Sequence, residues 1–570
     1  MKGKELFTTQ IAAVRPKSNR KLWSNLAIVG LGLLCGINFF LRFSDGSVDT
    51  GEARSYPGES LQWKPCGQII NHELECGEIK VPMDQFDAVN SASKTFNIPL
   101  IRLRGKNATQ NLVVNPGGPG GSGFSFMYRR GEQLNRIVGE NYHILSFDPR
   151  GVNSSQPRAS CYPTAAMREK HALDLDDDLV GDSAKRYAWT QNYVKTCEEN
   201  MGEHGKYINT PQTAADMNSI LDAVGQQDMV YWGFSYGTLL GQTYASLFPE
   251  RSKRIIIDGV VNQIEWYTSL LLQDDFTNTQ NVLDGFFDEC MKSPKTCALS
   301  GFADTKEQLQ STVVDFLRGF EKDPIAVFVN TTTYGTLDYK SLWINAVFAH
   351  MYKPSTWFDF ATRLAEMMRG NATSAFLTYN TNNPLDLTDE ALDVVMLNDG
   401  ISGPKYWPQT RQELVDLLSP LDNSSSFAFS ANQGYYAKQQ WLIPRTHNFT
   451  PRDRVETAHP LLVLSTTYDP ICPLVSAKNA QKTFVGSRLV EVKGYGHCSV
   501  AVVSACLAQH VRDFLDTGKL PEENTTCEVD EPYFQEPESE EVLLAKLSAA
   551  EAEVDQIRAA QAMLASQLRW

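Results

Sequence analysis

Gly233-Phe234-Ser235-Tyr236-Gly237 is the segment with the clearest chemical content in this chain. An apolar run, Met229–Trp232, precedes it, and a helical pattern from Leu239 to Phe248 follows. A serine on a sharp strand-to-helix turn stands clear of its neighbours and can attack a carbonyl carbon, and glycines on either side remove side chains that would clash in such a turn. Gly237 and Gly241, four residues apart, let the helix lie close to the strand. An ordinary Gly-Ser turn has the same five letters, but it does not demand these flanks.

Serine is a weak nucleophile and needs a base, itself held in the right tautomer by an acid. Downstream, the apolar run Leu461–Ser465 leads to Thr-Thr-Tyr-Asp469-Pro, and Ser487–Val492 leads to Lys-Gly-Tyr-Gly-His497. Both residues fall just past the end of a strand, where sites of open parallel sheets gather. Asp258, after Ile255–Ile257, competes as the acid. His447, His459 and His510 compete as the base, although His510 sits in a helical pattern with Leu507 and Phe514. The order serine, acid, base and the paired strand–loop contexts favour Asp469 and His497.

A third element follows Leu112–Asn115: Asn115-Pro-Gly-Gly-Pro-Gly-Gly-Ser-Gly123. Negative charge develops on the carbonyl oxygen during acyl transfer, and backbone N–H groups must reach it unobstructed. The amides of Gly118 and of Tyr236, which follows the serine, are the candidate donors. The same loop contains Gly118-x-Gly120-x-x-Gly123, with Asp148 ending a later strand about 25 residues on, which fits a dinucleotide-binding oxidoreductase. Pro119 stiffens that loop, and this reading leaves Ser235, Asp469 and His497 without a role. A third reading is a binding scaffold without catalysis.

These residues need elements to hold them. Candidate strands are Glu78–Pro82, Phe96–Leu103, Leu112–Asn115, Tyr142–Phe147, Met229–Trp232, Arg254–Val261, Leu461–Ser465 and Leu489–Val492. Helical patterns alternate with them, which predicts a mostly parallel sheet with helices on both faces. From 262 to 456 the strand rhythm stops. Leu309, Val313, Phe316 and Phe320 recur at helical spacing behind a capping-box start at Thr305 and Gln308. The reading is a large helical cap inserted between two parts of one core, 61–261 and 457–534. Residues 535–570 are acidic and alanine-rich, with a stripe of Leu543, Leu547, Ala550, Val554, Ile557, Leu564 and Leu568. That stripe predicts an amphipathic helix that packs on its own domain or self-associates.

The N-terminus carries an address. Residues 1–21 hold six basic side chains against Glu5, Leu22–Leu41 is almost wholly apolar, and Asp45, Asp49 and Glu52 follow. Twenty helical residues rise roughly 30 Å, enough to span a bilayer. The charge asymmetry predicts a cytoplasmic leader at 1–21, a signal anchor at 22–41 and a polar stalk at 42–60; cleavage and secretion are the alternative. Either way the catalytic region is lumenal or extracellular. Seven N-x-[ST] sequons, at Asn107, Asn153, Asn330, Asn371, Asn423, Asn448 and Asn524, all lie beyond the apolar segment. Of eleven cysteines, ten lie in the exported part, an even set suited to disulfides. No C-x-x-C or H-E-x-x-H occurs, so no metal is expected. A net charge of -15 argues against nucleic acid as a partner.

The motifs NPGGPGGSG, FDPRGV, GFSYGT, YDP and GYGHCS resemble the secreted tripeptidyl-aminopeptidase-like branch of the prolyl-aminopeptidase group of α/β-hydrolases. The resemblance runs from about Trp63 to Phe534 and is weakest in the cap. It implies an α/β-hydrolase core, a small peptide or ester substrate, cleavage from the peptide N-terminus by an acyl-enzyme route, and no cofactor. It supports Ser235, Asp469 and His497 as the triad. It also suggests the pairs Cys66–Cys76, Cys161–Cys197 and Cys290–Cys297. For the last four cysteines the preferred pairing is Cys472–Cys498 and Cys506–Cys527, which spacing alone does not decide. The chain departs from the family at Pro116, where the related loop often begins with histidine, and at Val152-Asn153-Ser154, where the family is glycine-rich. An aminopeptidase must also neutralise the substrate's α-ammonium group, so the cap is expected to lend a carboxylate; Glu265, Asp274, Asp275 and Asp399 are examples.

Overall fold

The computed structural model describes residues 53–570, apart from 71, 92, 174–179, 381–389, 426, 428, 550–552 and 567–570. The basic leader and the Leu22–Leu41 segment therefore lie outside the described residues. Among the described residues no helix is long and apolar enough to cross a membrane.

Among the described residues twelve strands form: β1 (Lys64–Ile69), β2 (His72–Pro82), β3 (Thr95–Leu103), β4 (Gln110–Asn115), β5 (Tyr142–Phe147), β6 (Met229–Phe234), β7 (Ser252–Asp258), β8 (Ile325–Asn330), β9 (Thr333–Leu337), β10 (Leu462–Tyr468), β11 (Arg488–Tyr495) and β12 (Thr525–Glu528). Ten of them make one sheet in the order β1-β2-β3-β5-β4-β6-β7-β10-β11-β12. The β1–β2, β2–β3 and β3–β5 pairs are antiparallel; from β5 to β12 every pair is parallel. β5 and β6 are buried at every residue, as strands covered on both faces must be. Alternation sends Leu112, Val114, Val230 and Trp232 to one face, and Val113, Met229 and Tyr231 to the other.

The first face is covered by α1 (Gly123–Val138), the second by α2 (Thr210–Ala223) and α3 (Tyr236–Leu247). The chain leaves the sheet after β7 and returns at β10, its hydrogen-bonded neighbour, so the core is discontinuous in sequence. The intervening cap includes α4 (Thr279–Lys292), α5 (Lys306–Arg318), α6 (Trp357–Met368), α7 (Ala391–Asp399) and α8 (Phe429–Gln440). It has an aromatic-rich core of its own, in which Phe286 meets Phe287, Trp357 and Phe360 edge-on or tilted. α7 is different: Ala391, Val394, Val395 and Leu397 join the core of the sheet. The cap also holds the β8–β9 hairpin, which the helical reading of 262–456 missed because Ile325–Asn330 is short and only partly buried. β1 and β12 were missed for a similar reason, since neither is a sustained apolar run.

After β10 come α9 (Leu474–Thr483), then β11, α10 (Ala505–Thr517), β12, α11 (Glu540–Ala549) and α12 (Glu553–Ser566). α12 lies on α1, and Ile557, Ala560, Met563 and Leu564 are buried there. Of the C-terminal stripe, Leu543, Ile557 and Leu564 are covered within the chain and Val554 is exposed, while Ala550, Leu568 and the side chain of Leu547 lie outside the described residues.

Disulfides join Cys66–Cys76, Cys161–Cys197, Cys290–Cys297 and Cys506–Cys527. Such bridges belong to an oxidising, exported environment. The expected Cys472–Cys498 bridge does not form, and both are buried free thiols. Their backbones meet around Asp469, but Cys498 has a positive φ of 62° and its sulfur is packed against Gly259, where a Cβ would stand 2.5 Å from it. Cys472 lines a cavity described below, its sulfur within 4.8 Å of the Asp469 carboxylate and the His497 ring. Asn107, Asn153, Asn330, Asn371, Asn448 and Asn524 are exposed. The side chain of Asn423 lies outside the described residues.

Candidate active site

Ser235 sits between β6 and α3 with φ 56° and ψ −126°, a strained conformation for a residue with a side chain. Its amide donates to Asp258 O (3.0 Å), and its carbonyl accepts from the Thr238 amide (2.8 Å) and hydroxyl (2.6 Å). Gly237 is required because a Cβ there would stand 2.7 Å from Asn115 O. The glycine loop lies alongside. Gly117, at φ 97°, leaves room for only 2.5 Å between an added Cβ and Phe234 O, and 2.9 Å to the Ser235 Cβ. This approach sets Gly118 beside the serine. The Asn115 side chain braces the loop by accepting from the Gly117 amide (3.0 Å).

Asp469 and His497 follow β10 and β11, two neighbours in the parallel part of the sheet. His497 Nδ1 lies 3.0 Å from both carboxylate oxygens of Asp469, and both residues are buried. The carboxylate also accepts the amides of Ile471 (3.0 Å), Cys472 (2.8 Å) and Cys498 (2.9 Å), so it is fixed by the loops it joins. The His497 amide donates to Tyr352 O (3.0 Å), and the Tyr352 ring meets the imidazole edge-on at 4.8 Å. A cap residue thus braces the base, which no sequence pattern announced.

Asp258, the competing acid, is placed behind this arrangement. Its carboxylate takes the Ser499 amide and hydroxyl, each at 2.6 Å, while its carbonyl holds the Ser235 amide. It therefore ties the serine turn to the histidine loop. Burial pushes its carboxyl up to about 6. His447 accepts from the Phe449 amide and packs on Tyr267; burial pushes it down to about 3. His459 bonds Pro460 O, and His510 lies on α10. None of the three meets Asp469.

Asp148 answers the dinucleotide reading. It is buried and accepts from Ser122 Oγ (2.7 Å), Asn153 Nδ2 (2.7 Å) and the Ser154 amide (3.2 Å), leaving nothing to hold a ribose. Ser122 caps α1 by accepting from the Ser125 amide. The Ser122–Asp148 bond thereby ties the glycine loop to the end of β5.

Gly118, Ser235, Tyr236 and Cys472 line one cavity of about 590 Å³, roofed by the cap. Asp275 and Lys438 line it from the cap side. Among the described residues the Asp275 carboxylate makes no hydrogen bond or ion pair, and burial, reinforced by Glu265, pushes it up to about 8. Burial also pushes Lys438 down to about 8. The other expected carboxylates are engaged: Glu265 by the Asp274 amide, Asp274 by Asn262, and Asp399 by Thr210 and Trp266. Asp469, Cys472 and His497 are close enough to hold a metal in principle, but every lone pair of Asp469 that faces them is already committed to hydrogen bonds.

A strand–serine–helix turn, an acid and a base at the ends of neighbouring parallel strands, and a glycine loop at the serine define an α/β-hydrolase. Comparison agrees: residues 110–292 match the alpha/beta hydrolase fold model and 429–527 the TAP-like protein model. The chain accordingly has the α/β-hydrolase fold, with a C-terminal part similar to TAP-like proteins, and is a serine hydrolase. It is 26% identical to serine protease Hip1 of Mycobacterium tuberculosis, over 89% of this chain and 97% of that one. It is also 26% identical to a tripeptidyl aminopeptidase of Streptomyces lividans (82% and 86% covered), and 25% identical to carboxylesterase B of Mycobacterium tuberculosis (89% and 98%).

Proposed function

We propose that the chain is an exported serine peptidase that cleaves peptides from the N-terminus. Ser235 Oγ attacks the scissile carbonyl while His497 takes its proton, and Asp469 holds the imidazole in the correct tautomer and offsets its charge. The Gly118 and Tyr236 amides receive the oxyanion. His497 then gives its proton to the leaving amine, and a water activated by the same base releases the acyl group. The observation that carries the exopeptidase reading is Asp275, an unpaired carboxylate in the cavity that contains the serine. A cation supplied by the substrate would satisfy it, and a free peptide N-terminus is such a cation. The names of the Streptomyces and Hip1 relatives are consistent with this reading.

The test compares a peptide amide with a free N-terminus against its N-acetylated copy. The free peptide should be cleaved much faster. Equal rates would leave a general esterase or amidase on the same residues; an esterase activity is named in carboxylesterase B. We also propose that Leu22–Leu41 anchors the protein with residues beyond Arg42 outside the cytoplasm. Protease protection in sealed lumen-inside vesicles tests this: the catalytic region should resist added protease until the membrane is opened, and digestion without opening would support the opposite topology.

A further inference from the structure

The carboxylate of Asp399, at the end of the cap helix α7, is fully buried and does not line the cavity. It accepts from the Thr210 amide (2.7 Å), the Thr210 hydroxyl (2.5 Å) and Trp266 Nε1 (3.0 Å). Thr210 opens α2, so the carboxylate also faces the positive end of that helix. A hydroxyl has one proton to give. With that proton on Asp399, the Thr210 oxygen must accept from the Tyr236 hydroxyl, which is 2.5 Å away. The result is a directed chain from Tyr236 through Thr210 to Asp399, all buried.

Tyr236 is also the residue whose amide stands next to Ser235. Its ring is therefore tethered from the cap while its backbone begins α3. The tether has a firm base. Asn398 donates to Gly205 O and Ile208 O (2.8 Å each) and accepts from Trp441 Nε1 (2.9 Å). Beyond the other end of α7, Glu390 accepts from the Cys161 amide (2.8 Å) and pairs with Arg168. α7 also presses on the glycine loop, since a Cβ at Gly120 would stand 3.2 Å from the Leu392 nitrogen.

We propose that Asp399 is a positioning residue for the oxyanion hole: acting from the cap through Thr210, it holds Tyr236 so that the Tyr236 amide points at the developing negative charge. The proposal rests on acyl transfer by Ser235, but not on any preference for peptides or for a free N-terminus. It makes the cap part of the catalytic apparatus rather than only a lid that selects substrates.

The test uses the full chain, a small chromogenic ester, the best peptide amide found, and a peptide boronate that mimics the tetrahedral intermediate. Thr210→Val and Asp399→Asn should each lower kcat about tenfold, well short of the 10²–10³ lost with a whole donor, and change KM less than about twofold. Boronate affinity should fall by the same factor as kcat/KM. Thr210→Ser, which keeps the hydroxyl, should behave as wild type. Asp399→Asn combined with Tyr236→Phe should be no worse than the weaker single variant, as members of one network are. A raised KM with unchanged kcat would mean that Asp399 meets substrate, and multiplying losses in the double variant would mean that no relay exists; either overturns the proposal. If Asp399→Asn fails to fold by circular dichroism, Thr210→Val decides, and wild-type kinetics in that variant refute the relay. Undiminished turnover by Ser235→Ala would instead overturn the acyl-transfer reading itself.

Discussion

Asp275→Asn separates substrate recognition from stability, because the two should move in opposite directions. The substitution keeps the side chain's shape and removes its charge. Burial pushes the Asp275 carboxyl up to about 8, with Glu265 adding to the rise and Lys438 opposing it. A peptide α-amine titrates at about 7.7–8.0, so the bound acid and amine share one proton across neutral pH. A hydrogen bond to a charged group contributes about 1.5–3 kcal/mol, so the variant should lose about 10- to 150-fold in kcat/KM on a free peptide. On the N-acetylated peptide it should lose nothing. In the wild type, the advantage of the free peptide should peak near pH 8. Well below that pH the acid is neutral, and above it the amine is neutral. For folding the sign is reversed. A carboxyl whose pKa is raised from about 3.8 in the unfolded chain to about 8 in the fold keeps a proton that the unfolded chain releases, so stability declines as pH rises through that window. The full shift would correspond to over 5 kcal/mol. Because the group opens onto the cavity, screening by solvent reduces this to about 1–2 kcal/mol. Asp275→Asn should therefore melt higher than wild type at pH 8 and equally at pH 4, by scanning calorimetry. Equal losses on free and acetylated peptides, or a variant less stable at pH 8, would refute the reasoning.

Three further expectations concern the same site. Ser235→Ala should lower kcat by about 10⁴–10⁶ with an unchanged circular dichroism spectrum, and fluorophosphonate labelling should vanish. Asp469→Asn should cost about 10⁴ in kcat by allowing the wrong imidazole tautomer, whereas Asp258→Asn should cost only about 10–10², since it loosens the loop bearing His497 without touching the ring; similar losses in the two variants would put the acid assignment in doubt. Thiol titration of the unfolded, unreduced full chain should count three thiols, Cys35, Cys472 and Cys498, because eight of the eleven cysteines are bridged. A count of one would restore the Cys472–Cys498 bridge.

The site was legible in the sequence where local geometry determines it. Ser235 needs a sharp turn, and the sharp turn needs Gly233 and Gly237, so the motif carries its own structural reason. Asp469 and His497 were legible because each follows a strand-like run, and the two runs fold as the adjacent parallel strands β10 and β11. The cysteine pairing failed at Cys498 because thiol direction depends on backbone torsion, and a φ of 62° is not visible in letters. The carboxylates of the cap could not be ranked for another reason. Glu265, Asp274, Asp275 and Asp399 differ only in what lies around them, and those surroundings come from Asn262, Thr210 and Trp266, far along the chain or on other elements. The role of Tyr352 against His497 likewise has no local signal, since a tyrosine near the end of a short helix is compatible with almost any environment.

The return of the chain to β10 beside β7 also imposes a timetable. Residues 262 to 461 must leave the ribosome before β10 can pair with β7, and at about 5–20 residues per second this takes on the order of 10–40 s. During that interval the serine turn can exist, but its acid and base do not. On the proposed triad, the newborn protein gains competence only when the last fifth of the chain has closed the sheet. Loop closure across so many residues is slow as well, so the fraction that fails leaves an open edge at β7, ready to pair with another chain. A chain truncated anywhere in the cap would present that edge permanently, without Asp469 and His497.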